Sequence, residues 1–196
     1  SFDGAVVFEV QYLPSMGDSG SFDMIYHEHR DYHTLRPLAR LLKKHGMVMT
    51  GYDLLDQHGG SIRVTAKRNG NECPLPYEKI DWDEFRENIE TAKQHVSDSV
   101  KDGVVAFGAT AKACTLIHHF GISDKIEFCA DETPIKQGKY IAGTAIKILP
   151  EESLAGVTKP VLLTAWNYTD QIREKYPNMN IIVPFPNRRK QCLQQM

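Results

Sequence analysis

The chain has 196 residues, 41% of them hydrophobic and 24% charged, with a formal net charge of -2. That length suffices for one large or two small domains with a sizeable core, and the balance is that of an ordinary soluble globular protein. So small a net charge calls for neither nucleic acid nor an anionic membrane as partner, and no apolar run reaches the roughly 18 residues of a membrane span.

The opening "SFDGAVVFEV" lacks the basic start and small-residue cleavage site of a signal peptide, so a cytoplasmic location is the expectation. Residues 4–13, "GAVVFEVQYL", follow a D-G turn and read as a strand. "TLRPLARLLKKHG" (34–46) repeats Leu at helical spacing and ends on a glycine with lysines in its last turn, which predicts a helix. "MVMTGYDLL" and "SIRVTAKRNG" predict two further strands, and the polar stretch at about 69–79 predicts a domain boundary. "DWDEFRENIETAKQHVSDSVKDG" spaces Trp82, Phe85, Ile89 and Val96 as a helix does, with acids in its first turn.

From residue 104, short apolar runs alternate with helical stretches, the pattern of a parallel α/β sheet. The predicted division is therefore 1–70, a linker and connecting helix over 71–99, and an α/β domain over 100–196, with "NRRKQCLQQM" expected to fray. Cys73, Cys114, Cys129 and Cys192 form no C-x-x-C pair, so they predict reduced thiols rather than a zinc knuckle or a disulfide framework.

The densest chemistry lies in "FDMIYHEHRDYH" (22–33), with His27, His29 and His33, Tyr26 and Tyr32, and Glu28. His29 and His33 are four apart, but the stretch is not H-E-x-x-H and offers no third ligand, so no metal site is expected. A histidine beside a carboxylate suits acid-base work near neutral pH, because Glu28 can fix a ring tautomer or raise its basicity. A half-buried strand end whose polar groups satisfy one another fits the spacing equally well.

"DQHGGSIRV" (56–64) pairs two glycines with Ser61 and Arg63, either an anion-binding turn or a plain hairpin. "VVAFGATAKACTLIHHFG" puts Gly108 and Lys112 at a strand-to-helix turn whose N–H groups suit phosphate. It lacks the second and third glycines of G-x-G-x-x-G, which disfavours an NAD-dependent oxidoreductase, and a tight turn without a ligand reads equally well.

Taken in order, "FDMIYHEHRDY", "HGGSIRV", "GATAKACTL" with "GI", and "DETPIKQGKYIAGTAIKI" through "LLTAWNY" to "IIVPFP" resemble the C-methyltransferases that act on nucleotide-linked deoxysugars. The likeness covers most of the chain. It implies an α/β fold in which a Rossmann-like parallel-sheet domain follows the C-terminal portion of a class I methyltransferase domain. It implies removal of a carbon-bound proton beside a sugar ketone by His29 as base, with Tyr26 and Glu28 in supporting positions. It also implies methyl transfer to that carbon from S-adenosylmethionine in the complete enzyme.

The family's glycine-rich cofactor loop and zinc-binding cysteines have no counterpart here. The expectation is a truncated or split enzyme whose half shown here binds no cofactor alone. Ser61, Arg63, Gly108, Lys112, Lys136 and Lys139 are the candidates for the substrate's diphosphate. The expected partners are a nucleotide sugar and either a missing N-terminal half or a second copy. A second reading is a non-catalytic nucleotide-sugar-binding or assembly module.

Overall fold

A computed structural model describes residues 4–55 and 59–185, which form two compact units. The first comprises residues 4–21 and 29–86 of the described chain, and the second comprises 22–28 and 87–185. The units therefore part inside a helix, between Arg86 and Glu87. The short segment Phe22–Glu28 belongs with the second unit although residues on either side of it lie in the first.

The first unit is built on three antiparallel strands, β1 (Ala5–Gln11), β2 (Val48–Leu55) and β3 (Ser61–Lys67), in the order β1-β3-β2. In the central strand Ile62, Val64 and Ala66 are buried while Arg63 and Lys67 face outward, the period-two alternation of a sheet with one covered face. The register sets Val64 opposite both Phe8 and Tyr52.

Helix α2 (Leu35–Lys44) supplies Leu35 and Leu38 to the core formed with Tyr12, Met49, Ile62 and Val64, and leaves Arg36, Arg40, Lys43 and Lys44 in solvent. The predicted helix at 34–46 and the predicted strands at 4–13, 47–55 and 61–70 all form within a few residues of those bounds. Helix α1 (Leu13–Ser19) had no sequence expectation. Pro14 sits in its first turn and Gly20 closes it in the left-handed conformation, a start and stop signal at either end of a helix too short to show periodicity.

Helix α3 (Trp82–Ser99) begins where Asp81 accepts the N–H groups of Asp83 and Glu84, so its N-terminus is capped by side chain and by acidic charge. In the second unit β4 (Val104–Phe107), β5 (Ile126–Ala130), β6 (Lys147–Leu149), β7 (Val161–Leu163) and β8 (Ile181–Ile182) make one parallel sheet. Its order is β6-β5-β4-β7-β8. This is the parallel sheet that the alternating pattern predicted, in the Rossmann-like form that the resemblance implied.

All four residues of β4 are buried, as a central parallel strand covered on both faces requires. Val105, Phe107, Ala130, Leu154, Val161 and Leu163 form one core cluster. The chain leaves β4 through helix α4 (Ala111–Phe120) toward β5 and β6, then returns to the other side of β4 as β7 and passes through helix α5 (Thr169–Lys175) to β8. The connections therefore diverge between β4 and β7, and the crevice beyond the carboxyl ends of these strands is the usual ligand position in an open α/β sheet. No helix among the described residues is long and apolar enough to cross a membrane.

Candidate functional site

The segment Tyr26–Glu28 is a turn rather than a strand end. It follows a 3-10 turn over Phe22–Met24 in the second unit, and it gathers the side chains of Tyr26, His27 and Glu28. His27 Nε2 lies 3.8 Å from Glu28 Oε1 with both side chains largely in solvent, and the Tyr26 ring meets the His27 ring edge-on at 6.3 Å. The strand end that one reading of this block expected does not form.

His29 is half-buried and opens the part of the chain assigned to the first unit. The backbone beyond it is fixed alongside β1: His33 donates its N–H to Gln11 at 3.3 Å and accepts that of Leu13 at 2.9 Å. Among the described residues no group of three or more His, Cys, Asp and Glu side chains could hold a metal ion.

Ser61 and Arg63 both turn to Glu9 on the neighbouring strand. Ser61 donates its hydroxyl to Oε1 at 2.6 Å and Arg63 reaches Oε2 at 3.3 Å, so the guanidinium already has an anionic partner. The close approach that the glycines permit is realised within the chain itself. At Gly60, φ is +111° and an added Cβ would collide with the Ser15 side chain. His58 of the same motif lies outside the described residues.

At the carboxyl ends of the parallel strands, the turn from β4 into α4 is closed by internal bonds. Gly108 has φ +100° and backs onto Ala165, whose Cβ would stand 2.5 Å from an added Cβ. Thr110 caps α4 by accepting the N–H of Ala113 at 3.1 Å, and Thr164 donates its hydroxyl toward the carbonyls of Phe107 and Gly108.

Asp131, directly after β5, accepts the N–H groups of Ala109 at 2.7 Å and Thr133 at 2.8 Å, and pairs with Lys136 at 3.1 Å. Burial opposes its charge, but these bonds outweigh it and hold the carboxyl below the usual range. Lys112 donates to Asn167 Oδ1 at 2.5 Å and lies 4.5 Å from the centre of the Trp166 ring. Lys139 is exposed in the loop between β5 and β6.

The N–H groups of Gly108 and Ala109 are taken by Ala130 and Asp131, Asp131 also accepts from Thr133 and Lys136, and Gly108 is packed against Ala165. The first unit's sheet is wholly antiparallel, so among the described residues it has no parallel strand-loop-helix unit that could bind a cofactor's phosphates or ribose.

Two residues of this region had no individual sequence expectation. Asp23 is fully buried and accepts the indole N–H of Trp166 at 2.6 Å, while its other oxygen has no hydrogen-bond partner among the described residues. Burial pushes its carboxyl up to about 7, against the pull of the Lys112 charge and the Trp166 bond. Both residues lie inside blocks that carried the resemblance, "FDMIYHEHRDY" and "LLTAWNY", but neither was singled out there.

Comparison with known proteins bears on the same residues. The family model for the C-methyltransferase C-terminal domain matches residues 76–186. The C-methyltransferase NovU of Streptomyces niveus is 32% identical over 216 aligned residues, which cover 95% of this chain and 51% of that protein. The chain thus spans about half the length of the curated relative it matches.

Proposed function

We propose that this chain, which belongs to the C-methyltransferase family, carries the proton-abstracting residues of a methyl transfer to a carbon beside a ketone in a nucleotide-linked sugar. The observation that carries this reading is the turn at Tyr26–Glu28, which holds a phenol, an imidazole and a carboxylate together at the head of the stretch leading to His29.

Such a reaction starts by removing a proton from carbon, which needs a base of near-neutral pKa, and it develops an oxyanion that needs a donor. His29 is the base in this reading, Tyr26 the hydroxyl donor or relay, and Glu28 the carboxylate that orients a ring or a substrate hydroxyl. The methyl donor in this reading is S-adenosylmethionine.

For the substrate's diphosphate, Lys112 is the favoured cation for its place in the first turn of α4, at the carboxyl ends of the parallel strands. Lys139, exposed in the loop between β5 and β6, is the second cation. Replacing His29 by Ala in the complete enzyme is expected to abolish methyl transfer while leaving S-adenosylmethionine binding intact. Turnover retained by that variant would remove His29 from the mechanism.

A further inference from the structure

We propose that Asp23 is a positioning residue: held by the indole N–H of Trp166, its buried side chain ties the turn that carries Tyr26 and Glu28 to the second unit's parallel sheet. Asp23 and Trp166 are 0% and 2% exposed, and the 2.6 Å bond between them joins positions 143 residues apart. Trp166 follows β7 directly through a 3-10 turn, so the bond runs from the carboxyl end of a core strand to the turn before Tyr26.

Packing on the same spot is apolar and directional. The Phe22 ring lies 4.5 Å from that of His119, 5.3 Å from Phe120 and 6.1 Å from Phe185, and Thr115 donates its hydroxyl to the carbonyl of Ile25 at 3.4 Å. Hydrophobic packing alone would bury Phe22 and Met24. A carboxylate in the same place costs desolvation, and what it adds is a bond of fixed direction.

Among the described residues, Lys112 on α4 and Trp166 after β7 face the carboxylate, and the His119 ring on α4 packs at a tilt against the adjacent Phe22. Because the folded carboxyl titrates near 7, well above its value in the unfolded chain, its contribution is fully present at acid pH. That contribution is lost as pH rises through about 7. Ionisation strengthens the bond from Trp166 but leaves a charge buried, so the loss with rising pH comes from desolvation of the carboxylate. The tether's catalytic meaning rests on the reading of the Tyr26–His29 block given above, whereas the tether itself does not.

Hydrogen–deuterium exchange on this chain tests it. Asp23→Ala removes the acceptor of the 2.6 Å bond and is expected to speed exchange of the 22–28 amides about tenfold or more, with Val104–Phe107 still protected. Asp23→Asn keeps an acceptor for the indole and is expected to restore slow exchange.

Unchanged exchange in the Ala variant overturns the tether. If the Ala variant does not fold, Trp166→Phe, which keeps a ring and removes the donor, decides: faster exchange over 22–28 supports the tether and unchanged exchange overturns it. In the complete enzyme Asp23→Ala should lower kcat about tenfold with the KM for methyl donor unchanged, and Asn should restore it. A kcat left intact by Ala overturns the positioning role. Loss of the base reading would show instead as turnover retained by His29→Ala, with the exchange results unaffected.

Discussion

Glu78 accepts the N–H of Leu35 on both carboxylate oxygens, at 2.8 and 3.0 Å, and so caps α2 from 43 residues downstream. Thr34, at the cap position itself, makes no side-chain cap bond. The polar stretch read as a linker thus supplies both a hydrogen-bond acceptor and a negative charge at the positive end of that helix. Burial together with the Glu78 charge and hydrogen bond raises the Tyr12 phenol well above its ordinary range. We expect Glu78→Ala to lower the stability of the first unit by roughly 1–2 kcal/mol and Glu78→Gln by less, measured by urea unfolding of the chain. A midpoint that does not move would mean the cap is idle.

Gly108 and Gly121 make a matched pair for backbone strain. Both have positive φ, but an added Cβ at Gly108 meets Ala165 while at Gly121 it meets nothing within 4 Å. Alanine at Gly121 is expected to cost about 1 kcal/mol from conformation alone. At Gly108 it should cost about 2 kcal/mol or more, because the collision with Ala165 adds to the same strain. Thermal melts of the two variants give the comparison, and equal losses would show that the strand-to-helix turn yields freely.

Asp131 and Asp23 are expected to bend the pH dependence of stability in opposite senses. The folded Asp131 carboxyl is lowered, so its stabilisation is present above the unfolded carboxylate value and is lost as pH falls through the folded one. Asp131→Asn should therefore destabilise the second unit by roughly 2–3 kcal/mol near pH 7, with the difference shrinking toward pH 3. A difference that stays constant with pH would show that the bonds to Ala109 and Thr133, not the charge, carry the effect.

Tyr26 and His27 share a turn, yet different losses are expected. Tyr26→Phe in the complete enzyme should lower kcat roughly 10- to 100-fold if the hydroxyl meets the developing oxyanion. His27→Ala should change it by no more than a few-fold, because that imidazole projects into solvent and its contact with Glu28 is long. Steady-state kinetics at saturating methyl donor separates the two, and an inert Tyr26→Phe would assign oxyanion stabilisation elsewhere.

The sequence by itself determined what repeats at short range. Leu35 and Leu38 at helical spacing placed α2, alternation through Ile62, Val64 and Ala66 placed β3, and alternating apolar and helical runs beyond residue 104 specified the parallel sheet. These are local statements, since each element's own periodicity decides which face it can bury.

The tertiary structure alone decided which partners the polar side chains take. Glu9 claims Ser61 and Arg63, Asp131 fills the loop that looked ready for a phosphate, and Asp23 finds Trp166. Such bonds join side chains brought together only when distant elements pack, so nothing in the spacing of neighbouring residues announces them. For the same reason "YHEH" was ambiguous as a string, and it became a turn of the second unit only through the anchoring of Phe22 and Asp23 on α4 and Trp166.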